Sequence, residues 1–393
     1  MDTTTFTDLQ NFRTQLNNAF LERTDVIDGI IAAIITEQNC FLFGAPGTGK
    51  SELVRQVAKG FNNSKFFSYL LSPTTDPSEL YGPVAVSKLL KDEYTRDVKG
   101  YLPDSNIAFL DELFRGSSAV LNSLLQILNE RTFNNGKELI QTEIKSVVAA
   151  TNSFPSDESL QAFCDRFLFR PTVSGLKKPT NKRKLYNWAL KGGRPDISSG
   201  LTLESISKLQ TAAAEITVTD TFIDVFTECI DMLEGRGVFV SDRRRVQILK
   251  FLRGWAVVQG EDCLLPEYLH STLPHIVYQT EEDVATIKEV VDQCVPTADK
   301  FLRSVQRAST GLMNEYNSLR TKQIDRISEL SIHVAKLKQL HNDLKTVAQK
   351  VEDTLDNDQM RFTATTRMKA TKVCQEINHN VDQVAESISR YQK

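Results

Sequence analysis

The 393-residue chain changes its hydrophobic rhythm twice. Between about residue 39 and residue 170, short apolar runs at Cys40–Phe43, 107–110 and 147–150 alternate with helical patterns. Such runs, separated by helices, predict a parallel sheet covered on both faces. Within that region Val120, Leu121, Leu124, Leu125 and Leu128 recur at three- and four-residue steps. Residues 117–131 should therefore form a helix, capped by Ser117 and packed on the sheet. Residues 131–144 read as a β-hairpin, because Asn134-Asn135-Gly136 can supply the positive φ angles of a tight turn, with Lys137 at the tip.

From about Lys178 the pattern is helical without strands, over 185–190, 203–216, 221–233 and 241–258, with a loop marked by Gly192, Gly193 and Pro195. From residue 279 the chain is helical again, and after Gly311 it contains neither Gly nor Pro. Leu330, Val334, Leu337, Leu340, Leu344, Val347, Val351 and Leu355 form one narrow apolar stripe. That stripe predicts a helical hairpin or coiled coil with its turn at 353–358. No period of 20 to 50 residues suggests a solenoid. The expected division is an α/β core over 1–177, an all-α domain over 178–275 and a long α-helical C-terminal extension over 276–393.

Composition narrows the class. At this length one core does not suffice, and 40% hydrophobic with 25% charged residues describes a folding chain rather than a disordered one. The apolar run at 29–35 is far shorter than the roughly 20 residues that cross a bilayer, and the N-terminus lacks a basic flank. The sequence thus predicts no signal peptide, no membrane anchor and a cytoplasmic setting. Six cysteines stand singly at 40, 164, 229, 263, 294 and 374, as expected of reduced, mostly buried thiols. A net charge of -3 gives no global attraction to nucleic acid or anionic lipid.

The chemistry concentrates at three strand ends. Gly44-Ala45-Pro46-Gly47-Thr48-Gly49-Lys50-Ser51 is a complete phosphate-binding loop between a strand and a helix that begins with Glu52. Its glycines let backbone N–H groups wrap phosphates, Lys50 can reach the β- and γ-phosphates, and Ser51 can ligate Mg²⁺. An apolar strand ending in Asp111-Glu112 offers one acid for the metal's water shell and a second to orient an attacking water. A third strand ends in Thr151-Asn152, where Asn152 can contact the γ-phosphate or that water. Arg166, in Asp165-Arg166-Phe167, and Arg243, at the start of the 241–258 helix, are candidates for stabilising charge on a transferring phosphoryl group. Taken alone, either arginine reads equally well as an ordinary surface group.

In this order the motifs resemble an AAA+ ATPase, with Walker A at 44–51, Walker B at 107–112, sensor 1 at Asn152, an arginine finger at Arg166 and sensor 2 at Arg243. Glu79-Leu-Tyr-Gly-Pro83, Lys99-Gly-Tyr-Leu-Pro103, Asn129-Glu-Arg131 and Val240-Ser-Asp-Arg-Arg244 are similar to the MoxR subfamily, most closely its RavA branch. The resemblance covers about residues 15–265. It implies an AAA+ P-loop core with an all-α lid, ATP and Mg²⁺ as cofactors, and a homo-oligomeric, hexameric ring with ATP between subunits. Arg166 would then act on the neighbour's ATP and Arg243 on its own. It further implies an insert within 73–100 and a hairpin at 131–144 facing the pore, a chaperone-like remodelling role, and a von Willebrand factor A domain partner. Residues 280–393 lack the β-rich insertion through which the RavA branch binds a lysine decarboxylase, so that partner is not carried over. A second reading, a nucleic-acid motor or nuclease-associated NTPase, has the support of Lys137 and of the basic cluster Lys177, Lys178, Lys182, Arg183 and Lys184.

Overall fold

A computed structural model describes residues 2–152, 163–278, 280, 282–295, 298–321, 327–356 and 364–391. They divide into two compact units. One comprises the chain up to Leu264 together with Tyr268–Asp292, the other Leu265–Glu267 together with the chain from Gln293 onward.

In the first unit the strands are β1 (Cys40–Phe43), β2 (Phe61–Asn62), β3 (Phe66–Leu70), β4 (Ile107–Asp111), β5 (Thr132–Asn135), β6 (Glu138–Gln141), β7 (Ser146–Thr151) and β8 (Leu201–Thr202). Four of them make a parallel sheet of order β1-β7-β4-β3, the arrangement the apolar runs predict. Central β7 is buried at all six positions, as a strand flanked on both edges and both faces must be. Parallel bridges from Cys40 to Phe169 and from Phe43 to Thr172 carry the sheet one strand beyond β1. The register sets Phe43 beside Thr151 and Leu70 beside Asp111, so the carboxyl ends of β1, β4 and β7 open on one edge. Ligands of open α/β sheets bind at that edge.

The core helices are α1 (Thr3–Ala19), α2 (Thr24–Thr36), α3 (Lys50–Lys59), α4 (Pro77–Tyr81), α5 (Val86–Leu89) and α6 (Ser118–Glu130). The apolar run at 29–35 lies in α2, which is buried without a break from Val26 to Thr36. Its Gly29 admits the Phe169 ring so closely that an added Cβ would stand 2.1 Å from it. Asp28 on the same helix is 1% exposed. Arg13 binds it through two N–H groups at 2.7 and 2.6 Å and Gln259 donates at 2.8 Å, which is what a buried carboxylate requires. Helix α6 begins as expected, with the Ser117 hydroxyl accepting from the Val120 N–H at 3.4 Å.

The hairpin β5–β6 forms with Asn135 opposite Glu138. Its turn differs from the Asn-Gly expectation: of the turn residues only Gly136 has positive φ, at 69°, and Asn135 belongs to the strand. Asn135 has another task. Its side chain accepts from the Arg96 N–H at 2.6 Å and donates to the Arg96 carbonyl at 3.1 Å. Arg96 pairs with Val84 across the segment that carries α5. The hairpin and the segment expected as an insert are therefore locked together.

Beyond the sheet come the helices of the all-α lid, α7 (Pro179–Lys191), α8 (Leu203–Glu215), α9 (Asp220–Gly235), α10 (Asp242–Gln259) and α11 (Tyr268–Thr272), followed by α12 (Asp283–Cys294). β8 departs from the strand-free expectation, pairing two residues with β2 in parallel. Helices α8 and α10 pack on α2.

The second unit packs α13 (Ala298–Arg320), α14 (Ile327–Asp356) and α15 (Ala364–Tyr391) around a shared core. Leu337, Leu340, Leu344 and Val351 of the predicted stripe are buried there, against residues such as Ile377, Val381 and Val384. Three helices thus share the stripe where a two-helix hairpin was one expectation. Helix α14 continues through Asp356, so 353–356 is helix, and the rest of the expected turn lies outside the described residues. All six cysteines are buried thiols. Among the described residues no helix is long and apolar enough to cross a membrane.

Candidate functional site

The carboxyl edge of the sheet gathers the predicted chemistry. After β1 the loop 44–49 turns with Gly47 at φ 77° and Gly49 at φ 84°, conformations that side-chain-bearing residues resist. Gly49 caps α3, so the helix N-terminus faces into the loop. The Thr48 hydroxyl donates to the Ala45 carbonyl at 2.9 Å and closes the turn. Glu52 lies in the first turn of α3, where its carboxylate accepts from Gln56 at 2.8 Å.

Lys50 is 6% exposed, and its ammonium donates to the Gly44 carbonyl at 2.6 Å, the Ala45 carbonyl at 3.2 Å and the Asn152 side-chain oxygen at 3.1 Å. Burial pushes its pKa down while Asp111 and Glu112 pull it back. The Ser51 hydroxyl donates to Asp111 at 2.6 Å. The other Asp111 oxygen accepts from the Glu112 N–H at 3.0 Å. Glu112 in turn accepts from the Asn152 amide. A closed circuit results: Asn152 touches both the cation of the first strand end and the acid of the second. Glu112 holds its place in a left-handed backbone, φ 51°, which costs a non-glycine residue about 1–2 kcal/mol and is tolerated where geometry is over-determined.

These groups fit a nucleoside triphosphate and Mg²⁺. Among the described residues no cluster of three or more His, Cys, Asp or Glu could cage a metal. A hydroxyl and one carboxylate 2.6 Å apart suit Mg²⁺ instead, an ion that keeps waters and takes further oxygens from phosphate. Glu112 is the group able to accept a proton from water, Lys50 and the loop amides those able to bear phosphate charge.

The sequence reading missed the other half of the site. A cavity of about 330 Å³ adjoins Gly47 and Thr48, with Phe20, Leu185 and Trp188 as apolar walls and Arg23, Lys182 and Arg194 as cations. Apolar walls beside cations are what a base joined to phosphates needs. Arg194 lies over the Phe20 ring at 4.9 Å, and its guanidinium would stand 3.8 Å from a Cβ placed on Gly49. Its neighbours Gly192, Gly193 and Pro195 signalled only a loop. Arg115, likewise unremarked, sits 3.6 Å from Glu112.

Lid and core are joined by Glu22. Its carboxylate accepts from the N–H groups of Lys177 at 2.8 Å and Lys178 at 2.9 Å and from the Asn181 amide at 3.0 Å, all at the start of α7. Chiefly the Lys177 N–H, then Asn181 and Lys178, bring its pKa down to about 2. A depressed carboxylate adds stability that is present above its unfolded pKa of about 4.3 and lost as pH falls through the folded value. Glu22→Gln should therefore weaken resistance to urea at pH 7, with the difference from the parent shrinking between pH 4 and pH 2. A difference that persists unchanged at pH 2 would show that the carboxylate charge is not its source.

Two predicted residues stand apart. Among the hydrogen bonds and ion pairs of the described residues, none joins Arg166 or Arg243 to the circuit. Arg166 is partly exposed and 3.7 Å from Asp165. Arg243 is exposed in the first turn of α10, whose cap is the Ser241 hydroxyl.

Residues 7–211 match the family described as the MoxR domain in the MoxR-vWA-beta-propeller ternary systems, and residues 217–291 match the AAA lid domain. An uncharacterized protein of Methanocaldococcus jannaschii is 31% identical over 322 residues, 82% of each chain. A second from the same organism is 34% identical over 255 residues, 65% of this chain and 67% of its own. A crystal structure of a candidate ATPase from Cytophaga hutchinsonii superposes with a TM-score of 0.60 at 17% identity, over 75% of this chain and 96% of that one, a likeness of fold. With the family match spanning more than half of its length and the lid match following directly, this chain belongs to the MoxR family of AAA+ ATPases.

Proposed function

We propose that the protein hydrolyses ATP with Mg²⁺ at the subunit interfaces of a hexameric ring and uses the cycle to remodel protein clients. One observation carries this reading. The circuit Lys50, Ser51, Asp111, Glu112 and Asn152 offers phosphate, metal and water contacts within one chain, while Arg166 stands outside it. In this reading Arg166 completes the site of a neighbour and Arg243 senses the nucleotide of its own chain, with the core at 1–177, the lid at 178–275 and the tail at 276–393. In the same reading the setting is cytoplasmic, and the segments 79–83, 99–103 and 240–244 support a kinship with the RavA branch. The family description supports a von Willebrand factor A protein as partner. The hairpin and the Val84–Arg96 segment, locked together by Asn135 and exposing Val86, Leu89, Leu90 and Leu139, are the client-facing surface.

The nucleic-acid reading loses ground on a specific observation. Lys182 of the basic cluster lines the cavity beside the phosphate loop, where a nucleotide rather than a nucleic-acid backbone would meet its charge. Shared sites give the test. ATP turnover per chain should be nearly absent in the monomer, climb in step with the assembled fraction followed by light scattering, and plateau when assembly is complete. Turnover per chain that is constant across monomer and assembly would refute interface catalysis, and stimulation by DNA or RNA at low salt would restore the second reading.

A further inference from the structure

Arg244, the residue after Arg243, turns inward where its neighbour turns out. It is 5% exposed, on a helix of the lid, and it reaches back to the core segment that carries Arg166. One of its terminal nitrogens donates to the Asp165 carboxylate at 2.5 Å, and its Nε donates to the Ile276 carbonyl at 3.1 Å. The other Asp165 oxygen lies 3.7 Å from the Arg166 guanidinium. Asp165 therefore stands between two arginines, one fixed in the lid and one partly exposed to solvent.

The surroundings make this carboxylate hard to replace. Arg170, also buried, donates to the same Ile276 carbonyl at 2.9 Å, and its guanidinium lies over the Tyr278 ring at 4.7 Å. Two buried guanidinium groups converge on one carbonyl, and Asp165 is the acid that meets Arg244 there. Buried charge left unbalanced is costly, which ties Asp165 to the lid more firmly than a surface pair would be. From the core side, the Asn39 amide donates to the Arg166 carbonyl at 3.1 Å while its oxygen accepts from the Val147 N–H of β7. The backbone of Arg166 thus follows the sheet, and the acid beside its side chain follows the lid.

We infer that Arg244 is a positioning residue for Arg166, acting through Asp165, so that the lid bearing Arg243 sets the guanidinium offered to the next subunit. Nucleotide-dependent movement of one lid would then be passed on as a change in the neighbour's rate. The inference rests on the reading of Arg166 as a finger acting in trans.

The test is steady-state ATP turnover of the full chain with Mg²⁺, per assembled protomer, for Asp165→Asn, Asp165→Glu, Arg244→Lys, Arg166→Ala and the Asp165→Asn/Arg166→Ala double variant. Asp165 is half exposed and Asn has its size, so Asp165→Asn removes the charge that meets Arg244 and no packed volume, and a parent-like urea unfolding curve checks that the fold survives. Misplacing a catalytic group by about 1 Å costs on the order of 100-fold, so kcat of Asp165→Asn should fall roughly 10- to 100-fold with KM for ATP within about twofold. Asp165→Glu should recover most of that loss, Arg244→Lys should mimic Asp165→Asn, and the double variant should be no slower than Arg166→Ala alone. Full kcat in Asp165→Asn, or losses that multiply in the double variant, would overturn the inference while leaving the finger reading intact. Full kcat in Arg166→Ala would remove the finger reading and this inference with it.

Discussion

Arg166→Ala should slow ATP turnover of the assembled protein by about 10³- to 10⁵-fold, the range over which an arginine supplied by a neighbour acts on phosphoryl transfer. Among the described residues no hydrogen bond or ion pair joins it to the Lys50–Asn152 circuit, while Asp165 lies beside it, and that is the reason to expect the effect in trans. Lys50→Ala should be inactive for a different cause, because the ammonium that spans Gly44, Ala45 and Asn152 is lost from the protein's own site. Mixing the two inactive proteins separates the causes. Where an Arg166→Ala chain supplies the phosphate loop and a Lys50→Ala chain the finger, both groups are present. With random exchange about a quarter of the head-to-tail interfaces of a ring are of that kind. Turnover should therefore return to a sizeable fraction of the parent rate. Exchange demonstrated by a fluorescent label, with no recovery, would assign Arg166 to its own subunit or to no catalytic role.

Glu112→Gln should retain ATP binding and lose about 10²- to 10⁴-fold in turnover, the usual share of a general base. The amide keeps the size of the carboxylate and an oxygen able to accept from Asn152, so the circuit and the left-handed backbone at 112 have little reason to change. What is lost is the capacity to take a proton from water. Single-turnover hydrolysis beside ATP binding by filter retention checks both halves. Rapid hydrolysis by this variant would rule out Glu112 as the main base, and loss of binding would make it a structural acid. The long-lived ATP state is also the one in which to capture a client or a von Willebrand factor A partner from the host.

Most of the site was legible because its groups lie at chain-local landmarks. A phosphate loop is a contiguous backbone shape, so its glycines and Lys50 are read from spacing alone. Asp111, Glu112 and Asn152 end apolar strands that are buried on both faces, and such strands announce themselves by unbroken apolar runs. Strand β3 was not read, and the structure explains it: as an edge strand it has only Phe67 buried. Helix α1 does carry a helical step in its buried Leu9, Phe12 and Leu16, a signal the sequence offered.

The sequence by itself determined the parallel α/β core, the helical lid, the helical tail and which residues are the candidates for phosphate, metal and water contacts, because each depends on residues close together in the chain. Tertiary structure alone decided which distant groups meet. Glu22 joins Lys177 across 155 positions, Asn135 joins Arg96 across 39, and Arg244 joins Asp165 across 79. Arg194 reaches the phosphate loop only because the lid folds back over Phe20. No periodicity encodes such pairs: a hydrogen bond is made wherever packing brings donor to acceptor, and packing is a property of the whole core.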